Sequence, residues 1–324
     1  MTRASMVEPI IRIRDIAWIR LRSPDLDLQE DYLTTFGLER AERTANALYM
    51  RGTDPAHHIH ITEKGDPAVL RIAFWARSLE DLHKLSRDGD GASAVEDIDE
   101  PGGGKRVRLT EHNGMGIEVV WGVEAVAALA VEPVTLNFGY NKQARTGHLL
   151  RVEHRPCRVK RIGHAVISTP EIEKSVAWAR RHLGIVPSDD VHAEDDPNLL
   201  LASFNRVDAG EDYVDHHVMM FGRHANSGLN HVSFEVQDID DLAVGHDAMM
   251  RKYGDLHLWG LGRHTLGSQI FDYWRDPWGR VHEHWTDTDV LNDSHEFRRH
   301  PKSTGLHSQW GPQAPQAFRD AASR

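Results

Sequence analysis

Apolar residues along this chain recur with two periods in a fixed order. In "RIGHAVIST" the residues Ile162, His164, Val166 and Ser168 alternate with Gly163, Ala165 and Ile167, which is the period of a strand. Thr169 and Pro170 follow as an N-cap and first-turn pair, and Ile172, Val176, Ala179 and Leu183 recur at helical spacing until Gly184 stops the turn. The same succession stands upstream: "RIRDIAWIRLRSPDL" (12–26) aligns without a gap to "RVKRIGHAVISTPEI" (158–172). Further on, "HHIHITEKGDPAVLRIAFWARSLEDL" (57–82) matches "HHVMMFGRHANSGLNHVSFEVQDIDDL" (216–242) with one residue of slack, and "NGMGIEVVWG" (113–122) matches "WGRVHEHWTD" (278–287). Each half reads as strand, helix, strands, helix, strands, and neither closes its sheet alone. The fold class is therefore α+β, with two homologous domains of paired βαβββ modules. We place these domains at residues 1–145 and 146–290. A tail, 291–324, carries prolines and aromatics with little period, which predicts an irregular cover packed on the second domain from Val290 to Trp310.

Composition narrows the classes of function. The 324 residues are 40% hydrophobic and 27% charged with a net charge of −11, so no basic surface invites nucleic acid. One cysteine, Cys157, excludes a disulfide framework and a thiolate metal cage. The N-terminal "MTRASMVEPIIRIRD" lacks the apolar core of a signal peptide, and no run approaches the roughly 18 apolar residues of a membrane span. A cytoplasmic protein without a membrane partner is expected.

The repeat also serves as an internal control for candidate chemistry. Gln269 to Trp274 and Arg280 to Trp285 read as strands joined at Asp276-Pro277-Trp278-Gly279. In the second of them Glu283 shares a face with Val281 and Trp285, where a carboxylate is costly unless a cation, an arginine or a metal pairs with it. His282 and His284 fall on the other face and are assigned to the surface or to the surroundings of the site. Where the second half has His164 and His231, the first has Trp18 and Arg71, and only Glu283 keeps an acid counterpart, Glu118. Two imidazoles and one carboxylate on three strands suit a facial site for non-heme Fe(II), and less well Mn(II). The helical zinc motif H-E-x-x-H fails because Thr286 stands at the second histidine.

With these residues in place, the chain resembles the two-domain type I extradiol ring-cleaving dioxygenases of the vicinal oxygen chelate superfamily over roughly residues 10 to 287. The resemblance implies the glyoxalase-like fold, metal ligands His164, His231 and Glu283, and a metal-free first domain. It also implies an acid/base histidine at His217 of "DHHVMMF", and His264 of "GRHT" with Tyr273 binding the substrate oxygen, Tyr273 lying ten residues before Glu283. Substrates would be a catechol and O2 at Fe(II), in a homo-oligomer. Phe221 and Trp274, with Met219, Met220 and Trp259, are expected as pocket walls, which favours a catechol carrying a hydrophobic substituent. A glyoxalase or epimerase-type isomerase or lyase on the same scaffold is the alternative; it would want a fourth metal ligand, typically a second glutamate, where this chain has the Trp18 and Arg71 pair.

Overall fold

The computed structural model describes residues 8–324, so the expectation that residues 1–7 carry no leader lies outside them. The first half is two modules: β1 (Asp15–Ser23), α1 (Leu26–Thr35), β2 (Glu39–Arg43), β3 (Ala47–Arg51) and β4 (His60–Lys64), then β5 (Ala68–Trp75), α2 (Leu79–Asp88), β6 (Glu96–Asp97), β7 (Lys105–Thr110) and β8 (Gly116–Trp121). The second half repeats them: β9 (Val159–Thr169), α3 (Ile172–Leu183), β10 (Val186–His192), β11 (Leu200–Arg206), the short β12 (Val214–Asp215) and β13 (Met219–Arg223), then β14 (Gly228–Val236), α4 (Ile239–Tyr253), β15 (His257–His264), β16 (Ile270–Arg275) and β17 (Val281–Thr286). The tail contributes β18 (Val290–Leu291), β19 (Arg298–Pro301), α5 (Lys302–Gly305), β20 (Ser308–Trp310) and α6 (Gln316–Arg319). None of the described helices is long and apolar enough to cross a membrane.

The strands form an eight-stranded sheet ordered β2-β3-β4-β1-β5-β8-β7-β6, a ten-stranded sheet ordered β19-β10-β11-β13-β9-β14-β17-β16-β15-β20 and a two-stranded sheet of β12 and β18. The repeat seen in the sequence is kept in their register. Ala73 of β5 faces Glu118 of β8 as Ser233 of β14 faces Glu283 of β17. Arg20 of β1 pairs with Arg71 of β5, and Val166 of β9 with His231 of β14. Arg108 of β7 lies opposite Glu118 as Tyr273 of β16 lies opposite Glu283. Side chains alternate across a strand, so each equivalence fixes both a position and a direction.

Local chemistry explains where the helices begin. Asp25 accepts from the amides of Asp27 and Leu28, Asp238 accepts from that of Asp241, and Ser78 with Asp81 forms a reciprocal capping box. The third helix departs from the sequence reading. Thr169 still belongs to β9 and its hydroxyl takes the amide of Glu171, so the helix starts after Glu171 instead of at Pro170. Gly184 ends it in the left-handed region, φ 67°, as its position predicts.

One apolar core runs through both halves, from Ile19, Phe36 and Ile72 to Ile167 and Phe234. Phe36, which closes α1, meets Phe234 of β14 edge to face and stacks on His284 of β17. Of the two places that the sequence left open for His282 and His284, the surface is excluded: both are fully buried between the halves. Helix α1 covers the β17 face on which they lie, and burial of a sheet face follows from what packs on it, not from the polarity of its residues.

Candidate active site

In the first half the buried carboxylate is neutralised by arginines. Glu118, 1% exposed, has guanidinium nitrogens of Arg20 at 3.7 Å, Arg71 at 3.6 Å, Arg106 at 3.9 Å and Arg108 at 3.5 Å. Four cations surround one carboxylate and leave no call for a metal there.

The second half places imidazoles at the same register. His164 Nε2 lies 3.1 Å and His231 Nε2 3.4 Å from Glu283 Oε2, with all three side chains buried. Neither carboxylate oxygen of Glu283 receives a well-formed hydrogen bond, which is costly in an apolar interior unless a cation completes the site. The separations fit that cation. Two donors each about 2.1 Å from a divalent ion and at right angles to one another stand about 3.0 Å apart. The Nδ1–H of His231 donates to Asn230 Oδ1 at 2.7 Å and so leaves Nε2 free to ligate. Burial alone would raise the Glu283 carboxyl, but the close approach of the His164, His264 and His231 imidazoles holds it well below the ordinary range. Burial pushes His231 down to about 3, despite Glu283 nearby. Both groups are thus held in the protonation states in which they could hold a metal. Gly163 makes room for the arrangement: a Cβ there would stand 2.5 Å from the Trp285 ring, which lies against β9 beside His164.

Around the triad stand groups that do not ligate. The His217 ring sits 4.2 Å from that of His164, and burial together with the neighbouring imidazoles His164 and His216 keeps it neutral. Its Nδ1 is 3.0 Å from His216 Nδ1; His216 Nε2 reaches Asp189 Oδ2 at 2.8 Å, and Asp189 Oδ1 holds His300 of the tail at 2.8 Å. On the other side His264 Nε2 is 2.8 Å from the Tyr273 hydroxyl and 3.6 Å from Glu283 Oε1. Burial and the Glu283 charge push the Tyr273 phenol well above its usual value, so it remains a donor. The structure thus brings His164, His231, Glu283, His217, His264 and Tyr273 into one place.

Two expected walls are elsewhere. Phe221 pairs with Ile167 in β9 and lies in the common core, on the sheet face away from His164. Trp274 alternates away from Tyr273 and donates its indole N–H to Asp272 at 2.6 Å. Both are corrected for the same reason: the strands are buried on both faces, and aromatic character does not say which face looks into the site. The aromatic walls are instead Phe204, 5.1 Å from the His217 ring, Trp259, stacked on Tyr273, and Phe318 of α6, 4.7 Å from Tyr273 and 5.5 Å from His231. Residues beyond Trp310 therefore take part: Asn230 Nδ2 donates to the carbonyls of Phe318 and Ala321, and Ser323 pairs with Leu229. The sequence reading missed Asn230, Asp189 and Phe318. Only Asn230 left a signal, its place beside a ligand, and strict alternation argued against it. A cleft of about 700 Å³ at Arg14, Trp75, Trp121 and Arg161, between the two halves, includes none of these residues.

No family model matches the chain. Metapyrocatechase 2 of Cupriavidus necator is 26% identical over 324 residues, covering 98% of this chain and 95% of the relative. An extradiol ring-cleaving dioxygenase from B. fuscum superposes with a TM-score of 0.80 at 19% identity, covering 98% of this chain and 84% of that one. A Mn(II)-bound glyoxalase from Novosphingobium aromaticivorans superposes with a TM-score of 0.75 at 24% identity, covering 94% of each. The two structures share the fold, and the first relative matches nearly end to end; over nearly its whole length the chain is similar to extradiol ring-cleaving dioxygenases.

Proposed function

We propose that this protein cleaves the ring of a catechol beside its two hydroxyls, using O2 and a non-heme Fe(II) held by His164, His231 and Glu283. The observation that carries the reading is the buried Glu283 carboxylate, without a well-formed hydrogen bond and within 3.4 Å of two imidazoles, at the register where Glu118 is enclosed by arginines. Iron bound there would supply open positions for both catechol oxygens and for O2, and a route for electrons from ring to oxygen. The chain's own residues do the rest. His264 and Tyr273, hydrogen-bonded to each other, point donors at one side of the triad and orient the substrate oxygen. His217, neutral and next to His164, accepts the catechol proton and returns it to the reacting oxygen. The first domain, 1–145, serves as a metal-free scaffold for the second, 146–290. The tail, 291–324, closes the site through Phe318 and keeps water out. The flat rings of Phe204, Trp259 and Phe318 favour an aromatic substrate with an apolar substituent.

The glyoxalase-like neighbour keeps an isomerase reading in view, but the metal cluster here comprises three residues, with no second glutamate among the described ones. The two readings separate in one assay. Protein loaded anaerobically with Fe(II), or in parallel with Mn(II), is given catechols bearing different substituents while O2 and visible absorbance are followed. Stoichiometric O2 uptake with a yellow ring-cleavage product is expected; turnover of a hemithioacetal without O2 uptake, and none of catechols, would overturn the proposal.

A further inference from the structure

A second cluster of metal-ligating side chains lies on the back of the strand that presents Tyr273. His246 of α4, His257 of β15 and Asp272 of β16 bring ligand atoms within 4.8 Å of one another. His246 Nδ1 is 3.1 Å from Asp272 Oδ2, and His257 Nε2 is 2.9 Å from Asp272 Oδ1. The carboxylate is fully buried, whereas the two imidazoles are 22% and 23% exposed. A buried acceptor is thus reached from solvent through two histidines. The site is shaped around that carboxylate. Gly260, at φ 139°, lies opposite Asp272, and a Cβ there would stand 2.7 Å from Asp272 Oδ1. The Trp274 indole donates to Asp272 Oδ2 and also lines the cluster, its ring 4.6 Å from that of His257 and 5.6 Å from that of His246.

We infer that His246, His257 and Asp272 form a second site for a divalent transition ion of the zinc, cobalt or nickel type. Two imidazole nitrogens and one carboxylate oxygen, with the remaining positions open to water, match the preference of these ions over calcium or magnesium, which favour all-oxygen shells. The three ligands come from a helix and two strands, so an ion would brace α4 against the sheet and steady the backbone on which Tyr273, the next residue, is carried. Such an ion binds the folded chain alone and raises stability in proportion to the logarithm of its concentration. The inference does not depend on the reaction proposed for the first site.

The test is a Co(II) titration of the metal-free full chain, followed by calorimetry and by visible absorption. The parent should bind two ions, Glu283→Gln one, His257→Gln one, and the double variant Glu283→Gln/His257→Gln none. His257→Gln keeps a neutral donor for Asp272 and preserves the fold if the histidine is only a hydrogen-bond partner. With Fe(II) restored it should retain parental turnover and iron content, since His257 touches neither. His246→Ala should match it, with unchanged circular dichroism. A parent that binds a single ion, or a His257→Gln variant that still binds two, would overturn the second site; loss of the first ion alone would count against the triad and leave this site standing.

Discussion

Glu118 and Glu283 face the same problem, a carboxylate on a buried strand face, and the residues across from them decide the solution. Arg71 and Arg108 stand where the second half has His231 and Tyr273, so arginines balance the carboxylate in one half and neutral groups face it in the other, the arrangement on which the proposed metal site rests. Glu283→Gln should therefore bring the loaded protein from about one iron to well under a tenth of that at the first site, because a neutral amide is a poor ligand for a hard cation; elemental analysis showing parental iron would remove the assignment. His217→Phe separates ligation from proton transfer. It should retain iron and lose about a hundredfold to ten-thousandfold in kcat, the range for an acid/base group, and parental turnover at saturating O2 would point to a different histidine. Asn230→Ala tests the hydrogen bond that orients His231. Metal affinity should fall about tenfold to a hundredfold, measured by competition with a chromophoric chelator, with secondary structure unchanged. That His164, His231, Glu283 and His217 gather in one place was legible because the three candidate ligands have counterparts in the first half and His217 stands in "DHHVMMF". Asn230 was not. A register irregularity between Leu229 and His231 breaks the alternation of β14 there, and the Asn230 amide lies beside the imidazole that follows it.

At the scale of elements, the succession of strands and helices was readable because the pattern of one half recurs in the other and the hydrophobic period survives in both. What could not be read was which buried face each aromatic occupies. Trp274 and Tyr273 are neighbours on β16, and the two sides of that strand look into different sites. The tail shows the same limit from the other direction. Its short β19 and β20 pair with β10 and β15 at the two edges of the ten-stranded sheet, and β18 pairs with β12 alone, so it forms no module of its own, and a segment that borrows its hydrogen-bond partners carries little period of its own. Its last helix matters most, since Phe318 covers His231 and Tyr273 while its carbonyl takes the Asn230 amide. Phe318→Ala should open this cover without unfolding the half-exposed helix. On the order of a tenfold loss in kcat/KM for catechols is expected from one apolar contact, together with O2 consumed in excess of product. Tight coupling and parental kinetics in that variant would show that α6 only caps the fold.

The whole molecule is held together by a joint that neither half displays alone. His60 of β4 and His282 of β17 stack with ring centroids 5.5 Å apart and Nε2 atoms 3.3 Å apart, walled by Tyr32, Phe36 and Phe234. This contact spans more than two hundred residues of chain, and no local pattern reports it; a histidine pair in two strands reads as polar decoration until the halves close on it. Burial keeps both imidazoles neutral, pushing His282 down to about 4 and His60 well below its ordinary value, with His282 further disfavouring charge on His60 and Arg280 disfavouring it on both. In the unfolded chain the same residues titrate near pH 6.5. Between that pH and about 4 the unfolded chain therefore binds protons that the folded one refuses, so stability is complete above pH 6.5 and falls as the solution is acidified. Each such histidine contributes a slope of about 1.4 kcal/mol per pH unit within its window. Urea unfolding of the metal-free chain at several pH values between about 7 and 5 should show this slope, and His282→Gln, which leaves a neutral polar group at the joint, should reduce it by about one proton. A variant whose stability depends on pH as steeply as the parent's would mean that His282 titrates normally in the folded chain and that the joint is open to water.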